Sequence, residues 1–210
     1  MLDYSKHTKS VGIDEVGRGP LAGPVVAACV YVPENVVLPT DLPTIKDSKK
    51  MTHRNRKKVV DWLSSQSDIK YSIGSSSVDE IDDINILQAT FLAMQRAFDG
   101  IKQYIDTSVA VFVDGNRAPV LSPFNVETVV GGDDLVFSIS LASIIAKEYR
   151  DEIMRKIDAE YPQYGFAKNV GYGTKQHIEA INKYGPTIYH RKSFEPIKGL
   201  LLTRSLVSVI

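Results

Sequence analysis

A single cysteine, Cys29, stands among the 210 residues. It allows no intramolecular disulfide and no cysteine-rich zinc site, and it makes a reducing compartment the default. Net charge is missing too, since 25 Lys and Arg balance 25 Asp and Glu. Any affinity for a polyanion must therefore come from a local basic surface, with the acids placed elsewhere. No apolar run approaches a membrane span, and Met1-Leu-Asp-Tyr-Ser-Lys-His-Thr-Lys lacks the apolar core of a secretion signal. The apolar stretch Leu200–Ile210 is short and broken by Arg204, which suits core packing. A soluble, cytoplasmic protein with no membrane partner is expected.

Several motifs are absent as well. No Gly-x-x-x-x-Gly-Lys-Ser/Thr occurs, so a nucleotide-hydrolysing phosphate loop is unsupported. Gly17-Arg-Gly19-Pro-Leu-Ala-Gly23 has one residue too many for a dinucleotide fingerprint, and Pro20 before an apolar run suggests a strand rather than a helix start. The four histidines (His7, His53, His177, His190) have no paired ligand spacing and read as surface or phosphate-contacting residues.

What is present is a globular α/β pattern. Apolar runs predict strands over 11–15, 24–32, 69–76, 109–113 and 126–130. Thr52 caps a predicted helix to about Ser65 with Val59, Trp62 and Leu63 inward, Ser77-Val-Asp-Glu80 is a capping box, and a helix over 85–99 repeats Leu87, Phe91, Met94 and Phe98. A long helix carries Ile139, Ala142, Ala146, Tyr149, Ile153 and Ile157 at its apolar period, and Thr174 caps another. With no internal repeat or linker, one domain over residues 1–210 is expected, with a helical and loop part from about 160. The first strands suit antiparallel pairing. The sense of the later pair stays open, so a mixed sheet is expected.

Three strands run into carboxylates: Asp14-Glu15, Asp114 and Asp133-Asp134. Ligands collect at such strand ends in α/β sheets. Acids gathered there repel one another unless cations sit between them, and hard divalent ions prefer oxygen ligands. Two such ions suit phosphodiester displacement. Taken singly, each acid reads as an ordinary turn former. Asp14 and Glu15, as strand neighbours, share one site only if the strand ends or bends there, which Gly17-Arg18-Gly19-Pro20 permits.

Between Lys46 and Lys58 stand seven Lys and Arg residues, with Asp47 the sole acid. This reads either as a solvated helix face or as a phosphate track, in which Ser48 adds a neutral donor. A second basic cluster is His190-Arg191-Lys192. Tyr161, Tyr164, Phe166 and Tyr172 lie among glycines, where rings either stack on bases or sugars or pack under a loop.

Gly12-Ile-Asp14-Glu15-Val-Gly17-Arg18-Gly19-Pro-Leu-Ala-Gly-Pro-Val-Val26 closely resembles the opening motif of the ribonuclease HII family of type 2 ribonucleases H. Asp47-Ser-Lys-Lys50, Ile84-Asn-Ile-Leu-Gln-Ala-Thr90, Asp114-Gly-Asn-Arg117, Ala142-Ser-Ile-Ile-Ala-Lys147, Tyr161-Pro-Gln-Tyr-Gly-Phe166, Gly171-Tyr-Gly-Thr174 and Arg191-Lys-Ser-Phe194 resemble further blocks of that family, in its order.

The resemblance implies an RNase H-like fold: a mixed five-stranded sheet flanked by helices, with a helical C-terminal part. It implies cleavage of the RNA strand of RNA–DNA hybrids, and incision of duplex DNA 5′ to an embedded ribonucleotide, leaving 3′-hydroxyl and 5′-phosphate ends. It implies Mg²⁺ or Mn²⁺, two ions per site with substrate bound, held by Asp14, Glu15, Asp114 and Asp133. Gly17, Arg18 and Gly19 would contact the ribose 2′-hydroxyl, Tyr172 would stack at the ribo-to-deoxyribo junction, and Ser48, Lys49, Lys50 and Arg54 would position the duplex. Where the family has Lys-Gly-Asp, this chain has Gly131-Gly132-Asp133-Asp134, and the stretch Val136–Leu141 is looser than the pattern. Counting back from Ala146-Lys147 favours Asp133 as fourth ligand, with Asp134 as the alternative. No Gln-x-x-aliphatic-x-x-aromatic-aromatic clamp-binding box is present, and a monomer is expected.

Overall fold

The computed structural model of the chain describes residues 9–34, 36–45 and 48–207. His7, Lys46, Asp47 and the last three residues of the apolar C-terminal stretch lie outside them. The described residues fall into two compact units. One is drawn from Met1–Val16, Val26–Ser75 and Thr90–Tyr149, the other from Gly17–Val25, Ser76–Ala89 and Arg150–Ile210.

The first unit is built on a five-stranded sheet of order β3-β2-β1-β4-β5, with β1 Ser10–Val16, β2 Val25–Val32, β3 Lys70–Ser76, β4 Ala110–Asp114 and β5 Val126–Val129. β1 pairs antiparallel with β2 and parallel with β4, which pairs parallel with β5. The sheet is therefore mixed, as expected. The sense of β4 and β5, open in the sequence, is parallel across an irregular connection over 115–125. Helix α1, His53–Ser65, starts where Thr52 Oγ1 accepts the Asn55 N–H, and buries Val59, Trp62 and Leu63.

Helix α2, Val78–Asp99, contains a break at Asn85 (φ 66°, ψ 163°). The Asn85 side chain caps the second segment by accepting from Leu87 and Gln88. Met94 and Phe98 on that segment are buried. A short helix α3, Gly132–Leu135, precedes the long α4, Phe137–Glu160. Ile139, Ala142 and Ala146 are fully buried, but Tyr149 at the same period is 46 % exposed.

Gly12, two residues before the first acid, lets β1 touch the start of α4. A Cβ there would collide with the backbone of Ser138 and Ile139. The contact is backbone against backbone, so no side-chain rotation relieves it. Gly12→Ala is expected to cost about 3 kcal/mol or more and lower the melting midpoint by roughly 6–12 °C. A thermal melt within 2 °C of the parent would refute this close approach.

The second unit packs its own core. Leu21, Ala22, Met154, Ile157, Tyr164, Phe166, Ala180, Ile181 and Ile197 form one buried cluster. Its elements include α5 Phe166–Asn169, α6 Lys175–Tyr184 and α7 Ile197–Val207, as well as the expected capping box, in which Ser77 and Glu80 exchange both hydrogen bonds. Thr174 caps α6 through the His177 N–H. Leu200 and Leu201 pack against the core, but Leu202 is exposed. Among the described residues no helix is long and apolar enough to cross a membrane.

Candidate active site

The parallel ladder between β1 and β4 closes at Ile13↔Val113, and the next residue on each strand is an aspartate, Asp14 and Asp114. Neighbouring strands lie about 4.8 Å apart, so register alone sets two carboxylates side by side at the C-terminal edge of the sheet. The ladder to β2 runs on to Val16↔Val26, so β1 is still extended at Glu15. Asp14 meets its neighbour by curling back: its Oδ1 accepts the Glu15 N–H at 2.7 Å. The glycine bend comes after both acids, at Gly17 with φ +95°.

Asp14 is almost completely buried. Burial holds its carboxyl well above the usual carboxylate range, and the charges of Glu15 and Asp114 push the same way. Hydrogen bonds from the Ser143 hydroxyl and the Glu15 N–H oppose the shift. Ser143 Oγ also lies 2.9 Å from Ser48 Oγ. Ser48, expected to meet phosphate, is therefore buried beneath the acids, its hydroxyl bonded to Ser143. Ser143 was missed in the sequence. The signal was the run of serines at 138, 140 and 143 in an otherwise apolar helix turn.

The segment that carries the fourth acid is tied down through its main chain. After β5 the chain turns at Gly131 (φ +70°), and the Gly132 N–H donates to Asp114 Oδ1 at 2.7 Å. Ser140 Oγ binds the Asp133 carbonyl at 2.7 Å. Asp133 is half-buried, while Asp134 is exposed with its carboxylate 3.6 Å from Lys50 Nζ. The second acid of the pair is thus answered by a lysine from another segment.

Among the described residues, no three His, Cys, Asp or Glu side chains already converge to hold an ion. The donor set nevertheless fits a hard divalent cation. It is all oxygen, and burial together with the charges of Glu15 and Asp114 raises the Asp14 carboxyl, the shift that a cation beside it would oppose. A cation there would relieve the repulsion that keeps such side chains apart.

The expected phosphate track is partly exposed. Lys49 and Lys50 on the turn Ser48–Lys50, and His53, Arg54, Lys57 and Lys58 on α1, face solvent. Arg56 does not. It is 6 % exposed, with Nη1 donating to the Met51 carbonyl at 2.8 Å and Nε to Glu148 at 3.2 Å. His53 Nδ1 lies 2.6 Å from the same glutamate.

In the second unit Tyr172 is 48 % exposed, and a Cβ on Gly19 would stand 3.5 Å from its ring. Tyr164 and Phe166, by contrast, are buried core. His177 and His190, read from sequence as surface or phosphate-contacting residues, are fully buried, and so is Arg191 of the second basic cluster. Their polar atoms are satisfied, which is what lets them be buried. The Thr187 N–H donates to His190 Nδ1 at 2.8 Å, so His190 carries its proton on Nε2 and donates across 3.1 Å to His177 Nε2. His177 Nδ1–H then donates to the Tyr172 carbonyl at 2.8 Å. Burial pushes both imidazoles down, His190 to about 4 with His177 adding to the shift, so both stay neutral at physiological pH. This relay anchors the backbone of the exposed tyrosine.

A family model described as Ribonuclease HII matches residues 11–197. Ribonuclease HII of Ehrlichia chaffeensis is 47 % identical over 199 residues, covering 95 % of this chain and 91 % of the relative. Among solved structures, the ribonuclease H2 of Pyrococcus horikoshii OT3 superimposes with a TM-score of 0.68 at 23 % identity, covering 91 % of this chain and 96 % of that one. Bst-RNase HIII in complex with Mn²⁺ superimposes with a TM-score of 0.69 at 17 % identity, covering 95 % and 71 %. The fold is that of the ribonucleases H.

Proposed function

Because the chain belongs to the ribonuclease HII family and is a ribonuclease H, an endonuclease, we propose that it cuts the RNA strand of RNA–DNA hybrids and incises duplex DNA 5′ to an embedded ribonucleotide. The products carry 3′-hydroxyl and 5′-phosphate ends. The observation that carries this reading is the register of β1 on β4, which brings Asp14 beside Asp114 immediately after the last paired residues.

Asp14, Glu15, Asp114 and Asp133 would hold Mg²⁺ or Mn²⁺. Divalent ions, when bound there, would supply positive charge for activating a water and for stabilising the departing 3′ oxygen. The chain's residues do the rest. Ser143 orients the Asp14 carboxyl from below, braced by Ser48. The Gly132 N–H fixes Asp114 through one oxygen and leaves the other to a ligand. Lys49, Lys50 and Arg54 meet the phosphates of the duplex, a sequence-independent contact that positions it. Gly17, Arg18 and Gly19 meet the ribose 2′-hydroxyl and Tyr172 stacks on the neighbouring sugar, which is how RNA is told from DNA.

The test is a labelled DNA duplex holding one ribonucleotide, with an all-DNA duplex as control, in Mg²⁺ or Mn²⁺. A single cut 5′ to the ribonucleotide is expected, with a 3′ end that a polymerase extends and an intact control. Equal cutting of the control would replace sugar selection with a general DNA nuclease activity. Binding without cutting in either metal would make the chain a hybrid-binding module.

A further inference from the structure

Two guanidinium groups are buried beneath the segment Gly17–Pro24, Arg150 at 1 % exposure and Arg191 at 0 %. Neither reaches solvent, and between them they bind backbone. Arg191 donates from Nη2 to the Gly17 carbonyl, from Nη1 to the Arg18 carbonyl at 2.8 Å, and from Nε to the Gly23 carbonyl at 3.1 Å. Arg150 donates to the carbonyls of Ala22 and Pro24 at 3.1 and 3.0 Å, and to that of Val170 at 2.9 Å. The Arg191 N–H takes the Leu21 carbonyl at 2.9 Å. The Phe194 ring lies 5.0 Å from the Arg191 guanidinium carbon and closes its other face.

The consequence follows from peptide geometry. In a planar trans unit the carbonyl of one residue and the N–H of the next point in opposite directions. With the Gly17 and Arg18 carbonyls drawn inward onto Arg191, the N–H groups of Arg18 and Gly19 are turned outward, in succession. Two successive amides aimed the same way make a concave donor for an oxygen ligand.

We propose that Arg191 is a positioning residue for sugar recognition, and that its guanidinium fork sets the outward amides of Arg18 and Gly19 for a ribose 2′-oxygen. The assignment rests on the reading of Gly17-Arg18-Gly19 as the sugar-contacting segment. A guanidinium is required because one planar fork serves three carbonyls at once, whereas an ammonium is a point donor without that geometry. Burial and the charge of Arg150 press on the group and hold its pKa down to about 9, so it remains a cation at physiological pH in a place that resists one.

Arg191→Lys, which keeps the charge and loses the fork, is the test, read with Gly19→Ala beside it. For the single-ribonucleotide duplex, Arg191→Lys is expected to lower kcat by 10- to 100-fold, with KM within threefold. It is also expected to narrow the preference for a 2′-hydroxyl over a 2′-fluoro junction by at least tenfold. The rise in melting midpoint produced by Mn²⁺ should stay as in the parent, since the acids are untouched. A folded Arg191→Lys with unchanged kcat and unchanged 2′ preference overturns the assignment.

If Gly19→Ala loses the preference while Arg191→Lys keeps it, the glycine segment reads the sugar and only Arg191 is wrongly assigned. If neither variant loses it and the ribonucleotide duplex protects the Arg18 and Gly19 amides no better than all-DNA duplex does, the reading of the segment itself fails. Should Arg191→Lys not fold, amide hydrogen exchange on the unaltered protein decides. Protection of Arg18 and Gly19 by the ribonucleotide duplex, but not by all-DNA duplex, supports the outward setting of these amides, and equal behaviour with both duplexes refutes it.

Discussion

Asp14→Asn is expected to reduce turnover by at least about 1,000-fold, the several kcal/mol that a divalent ion's charge contributes to phosphoryl chemistry, while making the metal-free protein more stable. The two effects have one cause. The carboxylate is buried, and Glu15 and Asp114 repel it, so without a cation it strains the fold. An amide of the same shape still accepts the Glu15 N–H and carries no charge to repel. Relief of about 1–2 kcal/mol would raise the melting midpoint by roughly 2–8 °C in a chain of this size. In the parent, millimolar Mn²⁺ should raise the midpoint by mass action, and in the variant this rise should shrink or vanish. Calorimetry with and without metal, together with the single-ribonucleotide assay, checks all three outcomes. Retained turnover would remove Asp14 from the mechanism, and an unaltered metal-free midpoint would mean that the cluster is not under electrostatic strain.

The comparison of Asp133→Asn with Asp134→Asn is expected to separate two adjacent carboxylates by a factor of 100 or so in kcat, a gap of about 3 kcal/mol. Asp133 is half-buried, with its carbonyl tied to Ser140, and it follows the glycine whose N–H binds Asp114. Its loss should approach that of Asp14. Asp134 is exposed and faces Lys50. Surface ion pairs contribute about 0–1 kcal/mol, so Asp134→Asn should stay within about threefold of the parent. The reverse order would make Asp134 the fourth ligand. Normal activity in both would leave the fourth position unassigned.

Much of this was legible in the chain because the relevant rules are local. Thr52, Ser77 and Thr174 cap helices where their spacing to the next donors predicts, and each forms the bond. Apolar strands followed directly by acids marked the sheet edge, and the expected mixed sheet is present. Other features depend on partners far away in sequence. Nothing in 110–114 or 126–129 says whether the two strands run together or opposed. Arg191 looks like one more member of a basic cluster until carbonyls 168 to 174 residues earlier supply its acceptors. His190 looks exposed until His177 and Thr187 satisfy both its nitrogens. Tyr149 keeps the helical period yet faces outward, since periodicity names a stripe but not where its cover ends. Charge in sequence indicates surface only when no distant segment provides the bonds that make burial tolerable.

The pairing of β1 with β4 also limits which length changes the gene can tolerate. Side chains along a strand alternate faces, so adding or deleting one residue between Ala110 and Val113 would invert Asp114 relative to Asp14. Two residues would restore the facing but carry the carboxylate about 7 Å along the edge. The irregular connection over 115–125 has no such phase to keep. Variation in length should therefore collect after the aspartate, and the five residues of β4 should behave as an indivisible block.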